Sequence, residues 1–167
     1  VCEEDKAMEH ILVSGVALDR NEARVSVHGV PDEPGMAARI FGALDEKAIS
    51  VDLIVQNTPV KGKTELTFTI GKADAVKTSD VMKKVTKAVK AGPFEIDDQV
   101  AKVSIVGVGM RTHSGVAARM FKTLSKERIN ILAISTSEIR VSCLIEAKYA
   151  ELAVRALHTE FGLDGKA

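Results

Sequence analysis

From Ala23 to Val30, apolar and polar positions alternate. Val25, Val27 and Gly29 oppose Ser26 and His28, which is the period of a half-buried strand. Met36, Ala37, Ile40, Phe41 and Leu44 then recur at helical spacing and predict a helix with one apolar face. Ile49–Val55 is rich in β-branched residues and too short for a helix, so it reads as a strand. Lys61-Gly62-Lys63 turns the chain. Glu65–Ile70 alternates again, with Leu66, Phe68 and Ile70 on one face. Val81, Val85 and Val89 recur at i, i+4 behind Ser79, which suits an N-cap, and Gly92-Pro93 stops that helix. Phe94–Ile96 is long enough only for a short closing strand. These elements spell βαββαβ, a ferredoxin-like plan.

The pattern then repeats. GMAARIFGALDEKAISVDLI (35–54) lies on GVAARMFKTLSKERINILAI (115–134) at a shift of 80, with eight of 20 positions identical. Chance gives roughly one at average residue usage. ARVSVHGV (23–30) matches AKVSIVGV (101–108), and LTFTI (66–70) matches VSCLI (141–145) in pattern. The chain is thus a duplicated module of about 75 residues, as internal self-similarity at a fixed period indicates. The second copy repeats five elements, its last helix (about 149–161) carrying Ala153, Ala156, Leu157 and Phe161, and then runs out. Ile11–Leu18 is an apolar segment with no place in the first copy. The simplest count gives that segment to the second copy as its missing strand. The expected fold is therefore α+β, with two ferredoxin-like βαββαβ modules, the second completed by the N-terminal strand. The expected division is an N-terminal segment (1–10), the donated strand (11–19), module 1 (20–99), module 2 (100–163) and a tail (164–167).

Charge and composition narrow the function. Lys plus Arg and Asp plus Glu are 23 each. Zero net charge lacks the positive field of a general nucleic-acid binder, and one Tyr with no Trp leaves few base-stacking surfaces. No apolar run approaches the roughly 18 residues of a membrane span, and no secretory signal is visible. Cys2 and Cys143 make no disulfide framework, which points to a reducing, cytoplasmic setting. The start at Val1 rather than Met suggests a piece of something longer. His10, His28, His113 and His158 show no metal-ligand spacing, and no metal or cofactor is implied. Cys143, mid-strand, reads as a buried small hydrophobe; pairing with His113 as a nucleophile lacks a supporting motif.

The strand-to-helix loop is the best site candidate in each copy. In module 1 it reads Pro31-Asp32-Glu33-Pro34-Gly35-Met36-Ala37. Amides at a helix N-terminus attract a carboxylate, and Asp32 beside them either holds an ammonium or simply caps the helix. Together those groups suit a free amino acid. Module 2 offers Arg111-Thr112-His113-Ser114-Gly115, with Thr112 in place of Asp32, so the copies should not bind one ligand equally. Gln56-Asn57 and Ser135-Thr136-Ser137-Glu138 end the middle strands and either recognise a ligand or satisfy local turns. Lys83, Lys84, Lys87 and Lys90 read as a solvated helix face.

These stretches carry a resemblance. SGVALDRNEARVSVHGVPDEPGMAARIF (14–41), VDLIVQN (51–57), DDQVAKVSIVGVGMRTHSGVAARMF (97–121), INILAISTSEIRVSCLI (129–145) and YAELAVRALHTEFGL (149–163) resemble tandem ACT domains. More closely, they resemble the C-terminal regulatory region of aspartate kinase, which some bacteria also make as a separate β subunit. The kinase domain is absent from this stretch, so the chain alone is expected not to be an enzyme. The resemblance implies feedback control of aspartate phosphorylation by end-product lysine, threonine or both, bound between ACT modules packed side by side. It implies a homodimer through those modules and a catalytic domain or α subunit as partner. In module 1 it implies effector contacts from Asp32, Gly35, Met36, Ala37, Ser50, Val51, Asp52 and Gln56. In module 2 it implies contacts from Val116, Ala117, Asn130, Ile131, Thr136 and Ser137. Family members commonly carry Asn at Ser50, Pro at Ser114 and Glu at Leu132. The first departure alters effector contacts, and the third removes a charge from module 2. The alternative kept open is an ACT subunit of another biosynthetic enzyme, such as an acetolactate synthase small subunit.

Overall fold

The computed structural model describes residues 13–107 and 114–163. The chain forms two compact units. One is Asn21–Gln99; the other joins the segment up to Arg20 with the segment from Val100 onward. The strands are β1 (Val13–Pro31), β2 (Val51–Gln56), β3 (Lys63–Gly71), β4 (Phe94–Gly107), β5 (Ala133–Thr136) and β6 (Arg140–Glu146). The helices are α1 (Met36–Asp45), α2 (Ala75–Ala88), α3 (Ser114–Lys126) and α4 (Ala150–Glu160).

Each unit carries the ferredoxin-like strand order. In the inserted unit it is β2-β3-β1-β4. In the other it is β5-β6-β4-β1, where Val13–Arg20 takes the outer place that β4 fills in the first. Ser14 Oγ donates to the Val106 carbonyl at 3.0 Å along that pairing. The second module is thus completed by the N-terminal strand, and the chain is α+β.

The strands differ from the sequence expectation in length. The segment around 11–18 and the alternating strand near 23–30 are one uninterrupted strand, β1, and Ile11 lies outside the described residues. The short closing strand Phe94–Ile96 continues through Asp97–Gln99 into β4. The polar stretches between them lie outside the expected strands, but their backbone has neighbours to bond. Glu22 pairs with Gly71 on β3, and Val100 pairs with Glu146 on β6. An antiparallel ladder satisfies backbone groups whatever the side chains are.

Separate apolar clusters fill the two units. Val25, Val27, Ile40, Leu44, Phe68 and Met82 centre the inserted unit, while Ile105, Met120, Leu124, Cys143, Ile145 and Leu157 centre the other. All twelve have no measurable exposure. Met82 answers Leu157 and Leu44 answers Leu124, so the duplication extends to the packing. Arg39 and Arg119, identical in the repeat, do the same job twice. Each Nη2 donates to a carbonyl in the last turn of the other helix, Ala88 at 3.3 Å and Glu160 at 2.9 Å. A cation there also meets the negative end of the helix dipole.

The helix ends correct two expectations. Ser79 lies inside α2; the helix starts at Ala75 after a 3₁₀ turn over Lys72–Asp74. Thr78 is fully buried one turn before Val81 and Met82, which extends the inward face backward. Gly92-Pro93 does not stop α2. Lys90 turns left-handed (φ 57°) and the Ala91 amide reaches back to the Thr86 carbonyl at 2.9 Å. α1, α3 and α4 end likewise, at Ala48, Arg128 and Gly162, with Ile49, Ile129 and Leu163 closing onto Leu44, Leu124 and His158. This is the Schellman closure, in which the residue after the left-handed one is apolar; Ile49, Ile129 and Leu163 are buried and Ala91 is half-buried.

Ile49→Ala and Ile129→Ala should each cost roughly 2–4 kcal/mol, since each empties a core position at a helix end. Denaturant titration measures this. A loss under about 1 kcal/mol at either position would show that the closure does not depend on its apolar anchor.

Candidate functional site

The loop Asp32–Gly35 follows β1 and opens α1. Its fold comes from two constraints. The Asp32 amide donates to the Gly62 carbonyl at 2.9 Å, tying the loop to the β2–β3 hairpin. In that hairpin Lys61 and Gly62 both have positive φ (52° and 73°), and Val60 and Lys63 exchange backbone bonds, as a two-residue type I′ connection requires. Gly35 then occupies the N-cap with φ 91°, a conformation side chains resist. No side chain caps α1, and its first turn contains no acidic residue. Asp32 therefore does not serve as the helix cap, which removes its ordinary structural role. The exposed carboxylate stands beside an uncapped helix N-terminus, whose amides carry partial positive charge.

β2 lies at the outside of its sheet and runs parallel to β1, so its end, Gln56, shares this end of the unit with Asp32, Gly35, Met36 and Ala37. Met36 leans on the core, whereas Ala37 and Gln56 are exposed. Ser50, Val51 and Asp52 stand at the opposite end, where Val51 pairs with Ile70. Five residue steps of β2 separate the two groups, about 16 Å. Between them the register slips. The Leu53 amide leaves the ladder and donates to buried Thr69 Oγ1 at 3.1 Å. Ser50 and Asp52 are exposed and Val51 is half-buried against the core.

The other unit repeats the layout with different side chains. Thr136 and Ser137 end β5 near the start of α3, where Val116 is buried in the core and Ala117 is half-buried. Asn130 and Ile131 stand at the far end of the strand. They line an open depression of about 410 Å³ with Phe121, Ser125 and Arg128. The loop Arg111-Thr112-His113 lies outside the described residues, as do Cys2 and His10 and the segments 1–10 and 164–167.

Cys143 packs as a hydrophobe, its Sγ 3.9 Å from Met120 Sδ, and burial pushes its thiol up to about 12. A thiol that holds its proton so firmly is no nucleophile at neutral pH. Among the described residues no cluster of His, Cys, Asp and Glu is placed to hold a metal, and no helix is long and apolar enough to cross a membrane.

One polar network escaped the sequence reading. On the sheet face away from the helices, His28 Nδ1 lies 2.9 Å from Glu65 Oε1 and its Nε2 lies 3.5 Å from Glu95 Oε1. Asn57 Nδ2 donates to Glu65 Oε2 at 3.4 Å, so the network ends beside Gln56. The hydrogen bond to Glu65 raises the His28 pKa, against partial desolvation. The alternation put His28 on the polar face, but its partners depend on cross-strand register. That register is set by the irregularity at Gly29 (φ 59°) and by the close approach of Gly92, whose amide donates to the His28 carbonyl at 2.8 Å.

Comparison with known proteins defines the class. Residues 23–89 and 103–161 each match the ACT domain, so the chain is a tandem ACT protein. It is 55% identical over 157 residues to the aspartokinase of Helicobacter pylori, covering 94% of this chain and 38% of that one. The structure superposes with a TM-score of 0.85 on a chain of the crystal structure of aspartokinase alpha and beta subunits, at 49% identity and with 90% and 99% of the two chains covered. The regulatory subunit of aspartate kinase from Thermus thermophilus gives a TM-score of 0.86 at 40% identity, with 90% and 99% covered. The chain belongs to the aspartate kinase family, as its ACT regulatory region. It spans about two fifths of the length of the curated relatives it matches.

Raised by its glutamates, the His28 pKa makes a stabilising contribution that is complete below about pH 6.5 and fades as pH rises through the folded-state value. Melting temperatures of the protein and of His28→Gln should therefore converge as pH rises above about 6.5. A difference that stays constant with pH would mean the glutamates do not hold the protonated ring. Gly35→Ala should cost about 1 kcal/mol, because φ 91° is unfavourable for any side chain. Denaturant titration checks it, and an unchanged stability would show that the loop relaxes freely.

Proposed function

We propose that this chain is the part of an aspartate kinase that senses an end-product amino acid, threonine or lysine or both, and passes feedback inhibition to the catalytic part. The observation that carries the reading is the Asp32 carboxylate: exposed, not used as a cap, and set beside the bare N-terminus of α1. A zwitterion has one charge for each. Its carboxylate is attracted to the amides of the first turn, and its ammonium to Asp32. Gln56 supplies an amide that can donate and accept.

The two groups of nominated residues, about 16 Å apart along β2, fit one site only across two modules. Two modules laid side by side along β2 or β5 edges in antiparallel fashion bring the loop end of one to the strand start of the other. Asp32, Gly35, Met36, Ala37 and Gln56 then face Ser50, Val51 and Asp52, or their counterparts Asn130 and Ile131, of a neighbour. Those edges carry Ile54 and Ile134, the same position of the repeat, at 53% and 44% exposure. Exposed isoleucines on unpaired strand edges are what a buried dimer interface accounts for. Binding and pairing are then linked: a ligand that bridges modules stabilises the paired arrangement by its differential affinity, and that shifts the enzyme's population. Module 2 has Leu132 where module 1 has Asp52 and Thr136 where it has Gln56, so one module takes the effector more tightly. The whole acts in the cytoplasm, with kinase chemistry supplied by the catalytic domain or α subunit.

Calorimetric titration of lysine and threonine, singly, should give binding by the unmodified chain and a loss of at least about tenfold in affinity for Asp32→Ala, the value of one charge-assisted contact. Unchanged affinity would take Asp32 out of the site. Sedimentation of Ile54→Lys together with Ile134→Lys should show a monomer, with effector affinity lost in parallel. A dimer that persists would move the interface elsewhere.

A further inference from the structure

We infer that the lysine face of α2 is a docking surface for an acidic patch on the catalytic part of the enzyme, an inference that rests on the regulatory reading above. Residues 72–90 hold six lysines and two aspartates, a strong local excess in a chain whose charges balance. Lys77 is paired, 3.5 Å from Asp74 Oδ1. Lys83, Lys84, Lys87 and Lys90 are exposed, and among the described residues no carboxylate pairs with them. Lys83 and Lys87 are four apart, and Lys84/Lys87 and Lys87/Lys90 are three apart, spacings at which like charges repel and weaken a helix.

The duplication supplies a control. α4 occupies in its unit the place of α2, 75 residues on, after a 3₁₀ turn of the same length. Buried Thr78 and Met82 answer to buried Ala153 and Leu157. Where α2 has Lys83, Lys84 and Lys87, the second copy has His158, Thr159 and Gly162. α2 is also longer, 14 residues against 11, and its additional turn carries Lys87. The same fold is therefore built without these lysines, and their mutual repulsion is not a condition of folding.

The surface beside them is shaped for a protein. A groove of about 530 Å³ runs between α1 and α2, with Ala43, Val81, Val85 and Ala88 as apolar lining, and its charged lining is three lysines, Lys47, Lys77 and Lys84, against two acids, Glu46 and Asp80. Carboxylates around an apolar knob complement that pattern. Nucleic acid does not: the face has no arginine fork and no aromatic platform. The occupant is identified by what the relatives carry outside the matched stretch. Its relatives extend beyond the matched stretch by about three fifths of their length, and that remainder must touch the ACT region for an effector to be felt.

The test uses the complete enzyme. Carbodiimide coupling, which joins amines only to carboxylates in contact, should link Lys83, Lys84 or Lys87 to Asp or Glu of the catalytic part. Mass spectrometry reads the links, and about 1 M salt should suppress them, since the Debye length then shrinks to about 3 Å. Lys83→Glu with Lys87→Glu should raise the effector concentration for half-inhibition roughly tenfold, while calorimetric binding of effector to this chain stays unchanged. Lys83→His with Lys84→Thr, which installs the α4 residues, should act in the same direction with an unchanged melting temperature. Links confined to other copies of this chain, no links, or an unaltered inhibition curve would overturn the inference. So would binding of the chain to anionic phospholipid vesicles or to DNA that the charge reversal abolishes. If the unmodified chain binds neither lysine nor threonine, it is the regulatory reading that fails, whatever the coupling map shows.

Discussion

Backbone hydrogen bonding along β4 is the constraint on which the remaining architecture depends. From Val100 onward this strand has β6 on one side, and its other side needs a partner of its own. The four elements that follow it do not supply one: α3 and α4 are helices, β6 already holds the first side, and β5 pairs with β6. Val13–Arg20 fills the place, and its side chains, Val13 above all, close the apolar cluster around Ile105 and Met120. An unpaired edge over a buried cluster would leave donors and acceptors without partners and invite pairing with other chains. The insertion of one module inside another follows from this single requirement.

Much of this was legible in the sequence, for physical reasons that can be named. Periodicity found the helices because Ile40, Leu44, Met82, Met120 and Leu157 are buried, and burial is what patterning records. The duplication makes each copy a check on the other, and the strand missing from the second copy marks the place of the donated one. The boundaries were less visible. Arg20–Glu22 and Asp97–Gln99 fall outside the expected strands but are strand, since a ladder bonds backbone and is indifferent to polarity. Ser79 looked like a cap because capping is a local rule, while the start of α2 was decided by Thr78 packing inward.

The nominated site residues raise a different difficulty. Asp32 and Gln56 come to one end of the unit, yet Ser50, Val51 and Asp52 lie a strand's length away. Sequence order cannot show that distance, and a site completed by a neighbour leaves no trace in the pattern of one chain. The His28 network was hidden for a related reason: Glu65 and Glu95 are 37 and 67 positions further on, and only the register at Gly29 aligns them. Duplication preserves what holds the core and frees the rest. Arg39 and Arg119 are kept, while Gln56 and Thr136, Asp52 and Leu132, and the charges of α2 and α4 have diverged.

The donated strand has a consequence for the order of synthesis. Val13–Arg20 leaves the ribosome before the segment it pairs with, which begins at Val100 about 80 residues later. At roughly 5–20 residues per second that is a wait of about 4–16 s. The inserted unit, Asn21–Gln99, has all its strands by then and can close during the interval, whereas the other unit cannot begin until its last helix is made. For those seconds the N-terminal strand is a half-apolar segment with no native partner, and the copies of this chain on neighbouring ribosomes carry the same one.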